Sequence, residues 1–110
     1  MATRKIKIED LHRFLLVSDP QVSPEGRKVA FVLTEFDYRN NGYKKHVWMW
    51  DRELGKANQF TFGVGSDTNP RWSPSSKEVL FLSSNREPEK KKPQLYVIPI
   101  DGGEAQLAAD

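Results

Sequence analysis

The chain has 110 residues, 37% apolar and 29% charged, with 17 basic and 15 acidic side chains. A net charge of +2 speaks against a dedicated nucleic-acid binder, whose footprint is a basic stripe or patch. The absence of cysteine excludes disulfides, thiolate metal sites and thiol catalysis, and no apolar run is long enough to span a bilayer as a helix.

Residues 8–16 read as a short helix. Ile8, Leu11 and Leu15 recur at helical spacing, with Phe14 beside that stripe. Glu9 and Asp10 fall in the first turn, where negative charge suits the helix dipole. The helix is expected to end before Ser18-Asp19-Pro20, because the residue before proline disfavours helical geometry. So short a helix is not stable alone, and its apolar stripe must dock on something. The basic N-terminus, Met1 to Lys7, is not followed by an apolar signal core, and the expected compartment is the cytoplasm.

Strand signals follow. An inner strand is expected at Pro20–Ser23. The turn Ser23-Pro24-Glu25-Gly26 has Pro and Gly where a type I turn wants them. Lys28–Glu35 reads as a strand apolar on both sides, with Val29, Phe31 and Leu33 on one and Ala30 and Val32 on the other. Such a strand needs a sheet above and a sheet below. A polar loop, Phe36–Lys45, leads to a strand at His46–Asp51. A turn at Glu53-Leu54-Gly55-Lys56 then leads to an outer strand at Asn58–Phe62.

The series then repeats. Pro20 to Leu33 returns as Pro70 to Ser83, 50 residues on and without a gap. Val47-Trp48-Met49-Trp50 returns as Leu95-Tyr96-Val97-Ile98, 48 residues on. The second copy predicts strands at Asn69–Ser73, Glu78–Ser84 and Gln94–Ile100. The Asp101-Gly102-Gly103 turn comes next, then an outer strand that is short or absent. The lysine-rich segment Arg86–Pro93 fills the slot of the first long loop. In a meander alternate turns share an end, so both Ser-Pro turns lie at one end and both long loops at the other.

A period near this length with several strands per copy is the signature of propeller blades. The expected fold is all-β: about two four-stranded antiparallel blades after a short helix, an incomplete propeller. The expected divisions are a helical lead-in at 1–17, blade one at 18–66 and blade two at 67–110. One blade cannot cover both faces of its sheet, and complete rings have typically 4–8 blades. Isolated, such a piece is expected to self-associate through its open faces and edges.

Chemistry-bearing residues are few. His12 and His46 are the only histidines, which makes a poor metal ligand set, and no catalytic residue, metal or cofactor is expected. Gly63-Val64-Gly65 lacks the third glycine and following helix of a dinucleotide fingerprint. The aromatic residues sit mostly at repeated strand positions, so they read as packing between blades. Trp72 is the expected exception, since its counterpart is the smaller Val22. Lys90-Lys91-Lys92, flanked by Glu87 and Glu89, reads as a solvated loop. Tyr38, Arg39 and Tyr43 of the first long loop are the candidates for touching a substrate or another domain, because long loops on a rigid scaffold often carry binding.

One further pattern is more specific. Glu9-Asp10-Leu11, then Val17-Ser18-Asp19-Pro20 and Ser23-Pro24-Glu25-Gly26, resembles the opening of the N-terminal propeller in the prolyl oligopeptidase family of serine peptidases. The acylaminoacyl-peptidase branch is the nearest likeness. Phe60-Thr61-Phe62-Gly63, Ser66-Asp67 and Pro70-Arg71-Trp72-Ser73-Pro74 look like that family's first crossover. Gln94 to Ala105 also fits the pattern. The resemblance covers nearly the whole chain. It departs at Lys7, where the family often has a capping Thr or Ser, and at Ser75-Ser76, which replaces Asp-Gly and is expected to loosen the second turn.

The resemblance implies a parent serine peptidase hydrolysing short or N-acylated peptides, of acylaminoacyl-peptidase or dipeptidyl-peptidase type. Its partners would be the rest of the propeller, an α/β-hydrolase domain and the peptide substrates, with neither nucleic acid nor membrane. The family's Gly-x-Ser-x-Gly elbow does not occur in these residues, so the resemblance transfers no catalytic residue. The piece would be structural and would gate substrate access. The alternatives are a non-enzymatic, Tol-like propeller binding module and a self-assembling interaction protein.

Overall fold

A computed structural model of the chain describes residues 13–37, 42–63, 65–84 and 92–109. These residues form β1 (Arg13–Val22), β2 (Lys28–Asp37), β3 (Gly42–Asp51), β4 (Lys56–Gln59), β5 (Ser66–Trp72), β6 (Glu78–Ser84), β7 (Gln94–Pro99) and β8 (Gln106–Ala109). They pair as two four-stranded sheets in sequential order, β1 to β4 and β5 to β8. Every pairing is antiparallel. The fold is the expected pair of meanders.

The first strand departs from expectation. Residues 8–12 of the expected helix lie outside the described residues. Arg13–Leu16, expected as its last turn, open β1 and pair with Asp37–Thr34 of β2. Apolar residues three and four apart fit a short extended run as well as a short helix. The ten-residue edge of β2 then decides the matter, because it offers a backbone partner for each of these residues.

Both inner strands carry a bulge at the same place in the repeat. The β1–β2 register shifts between Ser18 and Gln21, and the β5–β6 register between Thr68 and Arg71. Asp19 and Asn69, at φ of 49° and 56°, sit inside these shifts. Asp and Asn tolerate the left-handed region better than other side chains. Each precedes a proline, which has no N–H to lose from the ladder. The bulge is therefore written into both copies, as Asp19-Pro20 and Asn69-Pro70.

The Ser-Pro turns close as the sequence predicts. The Ser23 carbonyl accepts from Gly26 N–H at 2.8 Å, and its hydroxyl accepts from the amides of Arg27 and Lys28. In the second copy Ser76 N–H donates to the Ser73 carbonyl at 3.0 Å, and Glu78 N–H donates to Ser73 Oγ. The expected loosening by Ser75-Ser76 is not found. Ser76 accepts the positive φ that Gly26 adopts freely, 63° against 76°, and Ser75 Oγ adds a bond from Lys77 N–H.

The first long loop is shorter than expected. β2 and β3 stay paired out to Asp37 and Gly42, and the rings of Phe36 and Tyr43 lie 5.2 Å apart across the hairpin. The first outer strand lies nearer the turn than expected, at Lys56–Gln59. The amides of Phe60 and Thr61 both donate to the Val47 carbonyl, which draws the chain off the sheet and towards β5.

The core lies between the two sheets. Ala30, Val47 and Met49 of the first pack against Val79, Phe81, Tyr96 and Ile98 of the second, all buried. Alternation decides this: Ala30 faces Met49, and Val32 faces Val47, across the β2–β3 ladder. The intervening residues Val29, Phe31, Trp48 and Trp50 point to the far side and are half-buried. On the second sheet Leu80, Leu82, Leu95 and Val97 do the same. Each sheet thus keeps one apolar face open, as the two-sided patterning predicts. Among the described residues no helix is long and apolar enough to cross a membrane.

Candidate functional site

The polar chemistry of the described residues concentrates at the seam between the sheets, and it falls into two groups. Near the start of β5, Asp67 is fully buried. It accepts one hydrogen bond from Ser83 Oγ at 2.6 Å and faces His46 Nδ1 at 2.9 Å. His46 belongs to the first sheet and Ser83 to the second, so a single carboxylate joins both. Just beside them Thr61 Oγ1, also buried, accepts from Val47 N–H.

Serine, histidine and aspartate are the residue types of a hydrolytic triad, but here their order is wrong for that chemistry. A triad places the histidine between nucleophile and carboxylate, so that it can take the serine proton. Here the carboxylate is in the middle, and Ser83 donates to it directly. Ser83 at 2% and His46 at 9% exposure also give a substrate carbonyl no access. The group is a structural tie. His46 is buried with an acidic partner.

The second group lies towards the Ser-Pro turns. Arg71 Nη1 donates to both carboxylate oxygens of Asp19, at 3.0 and 3.2 Å. Trp72 Nε1 donates to the Gln21 carbonyl at 2.8 Å. Glu25 N–H donates to Ser76 Oγ at 3.3 Å, which connects the two turns. All four bonds cross the seam. Trp72 packs against the core that holds Phe81 and Tyr96, and its extra size over Val22 carries an indole N–H to the neighbouring sheet.

Asp19 and Asp51 are both shifted. Burial pushes Asp19 up, but the hydrogen bonds from Arg71 and Gln21 and the guanidinium charge outweigh it and hold the group below its ordinary range. Burial likewise pushes Asp51 up. The amides of Leu54 and Glu53, then the charges of Arg27 and Lys28, bring it below the ordinary range. Asp51 holds the β3–β4 turn against the first Ser-Pro turn, with Arg27 at 3.7 Å and Lys28 at 3.9 Å. The two turns share one end of the sheet, as the meander requires.

Of the contact candidates, Tyr38 and Arg39 lie outside the described residues. Tyr43 is 71% exposed at the hairpin end of β3, against Phe36. At the outer rim a cleft of about 400 Å³ opens between the crossover and the last turn, lined by Phe60, Phe62, Tyr96, Ile98, Glu104 and Ala105 among others.

Two stacked meanders, each with one open apolar face, match known propellers closely. No protein-family model matches the chain. It is 30% identical over 105 residues to an uncharacterized peptidase, YuxL, of Bacillus subtilis (strain 168); the match covers 96% of this chain and 16% of that protein. The acylaminoacyl peptidase of Pyrococcus horikoshii superimposes with a TM-score of 0.70 at 27% identity, over 87% of this chain and 14% of that one. The β-propeller domain of the Trilobed protease from Pyrococcus furiosus gives 0.70 at 25% identity, over 87% of this chain and 28% of the domain chain. These matches support the resemblance to the propeller region of the prolyl oligopeptidase family. The chain spans about a sixth of its curated peptidase relative, so the two blades correspond to part of a larger protein.

The signal that could have exposed the buried tie was in the repeat. Asp67 and Ser83 stand where the first copy has Val17 and Leu33. Two polar residues replacing two apolar ones at positions that face each other across a ladder, Asp67 with Ser83, announce a partnered buried pair.

Proposed function

We propose that these two blades belong to the propeller of a serine peptidase of acylaminoacyl-peptidase or dipeptidyl-peptidase type, acting on short or N-acylated peptides. The likeness to acylaminoacyl peptidase, at 27% identity over 87% of the chain, carries this reading. The blades themselves are structural: their polar side chains hold the seam, and none of the described groups is arranged as a nucleophile with a base. They would act on substrates by shape, as part of a wall that admits small peptides. Tyr43, with Tyr38 and Arg39 of the same hairpin, is the part of that wall proposed to touch a substrate or the hydrolase domain. Its exposure at the start of the ten-residue strand β3 supports that role.

The test uses the native gene product, with its intact mass, its labelling by a fluorophosphonate probe and its hydrolysis of an N-acetylated amino-acid p-nitroanilide. The expected product is longer than this chain, is labelled on a serine outside these residues, and cleaves the small substrate but not casein. Tyr43→Ala should then alter KM rather than labelling. A native product that takes up no fluorophosphonate, or that ends with these residues, overturns the reading.

A further inference from the structure

The outer rim of the seam holds a cleft that the blade repeat does not require. β4 stops at Gln59, and the chain is then tied back to β3. The amides of Phe60 and Thr61 donate to the Val47 carbonyl, and Thr61 Oγ1 accepts from Val47 N–H. Thr61 is buried by these bonds, and Phe60 and Phe62 on either side of it line the cleft. The opposite wall is Tyr96 and Ile98, alternate residues on one face of β7. Tyr96 is held by stacking on Phe81, with ring centroids 6.0 Å apart. Glu104 and Ala105, between the last turn and β8, complete the lining.

This lining has a chemistry of its own. The register that sets Trp48 against Gln59 in the first copy sets Tyr96 against Leu107 in the second. Carried along that register, Phe60 and Phe62 correspond to Ala108 and Asp110. Stacking of blades therefore does not call for aromatic rings at these positions. Phe62 is nevertheless 62% exposed, a placement that gains little from burial. Three aromatic rings and one carboxylate, that of Glu104, line the space of about 400 Å³, and no basic residue does. Among the described residues no cation pairs with Glu104. Aromatic ring faces carry negative charge density and attract cations. A carboxylate beside them adds a full negative charge. The lining therefore favours a cation with an apolar body over a neutral molecule of the same shape, and disfavours an anion. Its volume falls at the small end of the range for ligand pockets.

From this we propose that the rim cleft binds a small organic ammonium ion, a primary or methylated amine on an aromatic or branched aliphatic body. The body lies between Phe60 and the Tyr96–Ile98 wall, and the charge lies between the Phe62 ring and the Glu104 carboxylate. Both walls belong to the two sheets described. Further blades of a longer protein stack on the outward faces of these sheets and not on this rim. The site therefore stands apart from how the propeller is completed and from the peptidase reading.

Calorimetric titration of the native gene product with 2-phenylethylammonium, 2-phenylethanol and phenylacetate tests it. The three share a ring and a two-carbon chain and differ in charge. The ammonium should bind once per chain and about tenfold tighter than the alcohol, and phenylacetate should bind more weakly than either. The preference for the ammonium should shrink as salt is raised, since Glu104 is exposed. Two variants at exposed positions locate the site, with thermal unfolding as the check that each is folded. Glu104→Gln should reduce the preference for ammonium over alcohol to about threefold or less. Phe62→Leu keeps the apolar bulk and removes the ring face, so it should weaken the ammonium about threefold and leave the alcohol unchanged. Failure of the ammonium to bind overturns the inference, and so does binding of the alcohol or of phenylacetate as tight as that of the ammonium. A preference for the ammonium that survives both variants also overturns it, because the cation is then held elsewhere in the protein. Fluorophosphonate labelling is a separate readout, and neither of its outcomes alters these.

Discussion

The two copies of the repeat share a backbone and differ in what their matched faces must do. At the second copy's inward face a buried carboxylate, braced by a serine of its own sheet, and a tryptophan make bonds across a seam. At the first copy's outward face the same positions hold Val17, Leu33 and Val22, and no such bond can form. Two further carboxylates distinguish the first copy: Asp19 and Asp51 correspond to Asn69 and Pro99 in the second. The lesson is that the repeat sets strand order and turn geometry, while the neighbour of each face sets its chemistry. A face met by a defined sheet can afford a buried polar tie, because every group finds a partner. A face without ties keeps to shape and apolar area.

The largest effect should come from the two matched phenylalanines. Phe81 is wholly buried in the seam, and Phe81→Ala should cost about 3–5 kcal/mol as the cavity opens. Phe31, at the same repeat position but half-exposed, should cost only about 1–2 kcal/mol, since less apolar area returns to water. Urea unfolding at concentrations where the chain is monomeric reads both. Equal losses would break the comparison, because they would mean that the outward face of the first sheet is already covered within the chain.

The buried tie should be next. Asp67→Ala leaves His46 and Ser83 facing an empty acceptor position. Each stranded group costs about 1–3 kcal/mol, so a loss of about 3 kcal/mol is expected. Val17→Ala, its counterpart, should cost less than about 1 kcal/mol, as an exposed position does. Removing His46 as well, in Asp67→Ala with His46→Leu, should recover part of the loss, because burying two apolar groups is cheaper than burying one unpaired polar group. An additive double variant would show that His46 and Asp67 are not coupled.

How far the sequence revealed this depends on the range of each interaction. β6 was legible to the residue, Glu78–Ser84, because its apolar alternation repeats that of β2 and both follow a Ser-Pro turn. The bulges were not, although Asp19-Pro20 and Asn69-Pro70 mark them; their left-handed backbone shows only in the register. The start of β1 was read as helix because Leu11 and Leu15 are spaced for one, and pairing with β2 overrides so weak a local preference. The Asp67 tie joins residues 21 and 16 apart in sequence, beyond any local pattern. Tyr43 was expected on a loop and stands in a strand, because Phe36 lies opposite to pair with it.

A smaller effect should separate the two Ser-Pro turns. Gly26 has open space where a Cβ would stand, but a φ of 76°. Gly26→Ser should therefore cost about 1 kcal/mol of backbone strain and nothing in contacts. Ser76→Gly relieves a similar strain and gives up the bond from Glu25 N–H, worth about 0.5–1 kcal/mol, so its stability should stay within about 0.5 kcal/mol of the parent. Thermal unfolding distinguishes the two. A large loss in Ser76→Gly would make the turn-to-turn bond a principal support of the seam.

The smallest difference should appear only in acid, and it concerns Asp19 and Asp51 of the first copy. Asp19 and Asp51 are both held below their ordinary range in the folded chain. The unfolded chain therefore binds protons at higher pH than the folded one, and stability falls as pH drops through that interval. The contribution is complete at neutral pH and is lost from about pH 4 downward. Asp19→Asn with Asp51→Asn keeps an acceptor oxygen at each position but removes both charges. At neutral pH the double variant should be less stable than the parent, since Arg71, Arg27 and Lys28 lose their counter-charge. The gap should close in acid, where the parent carboxylates are also neutral. Urea midpoints across that range decide it: a gap that stays constant with pH would mean that the two aspartates act through their hydrogen bonds rather than their charge.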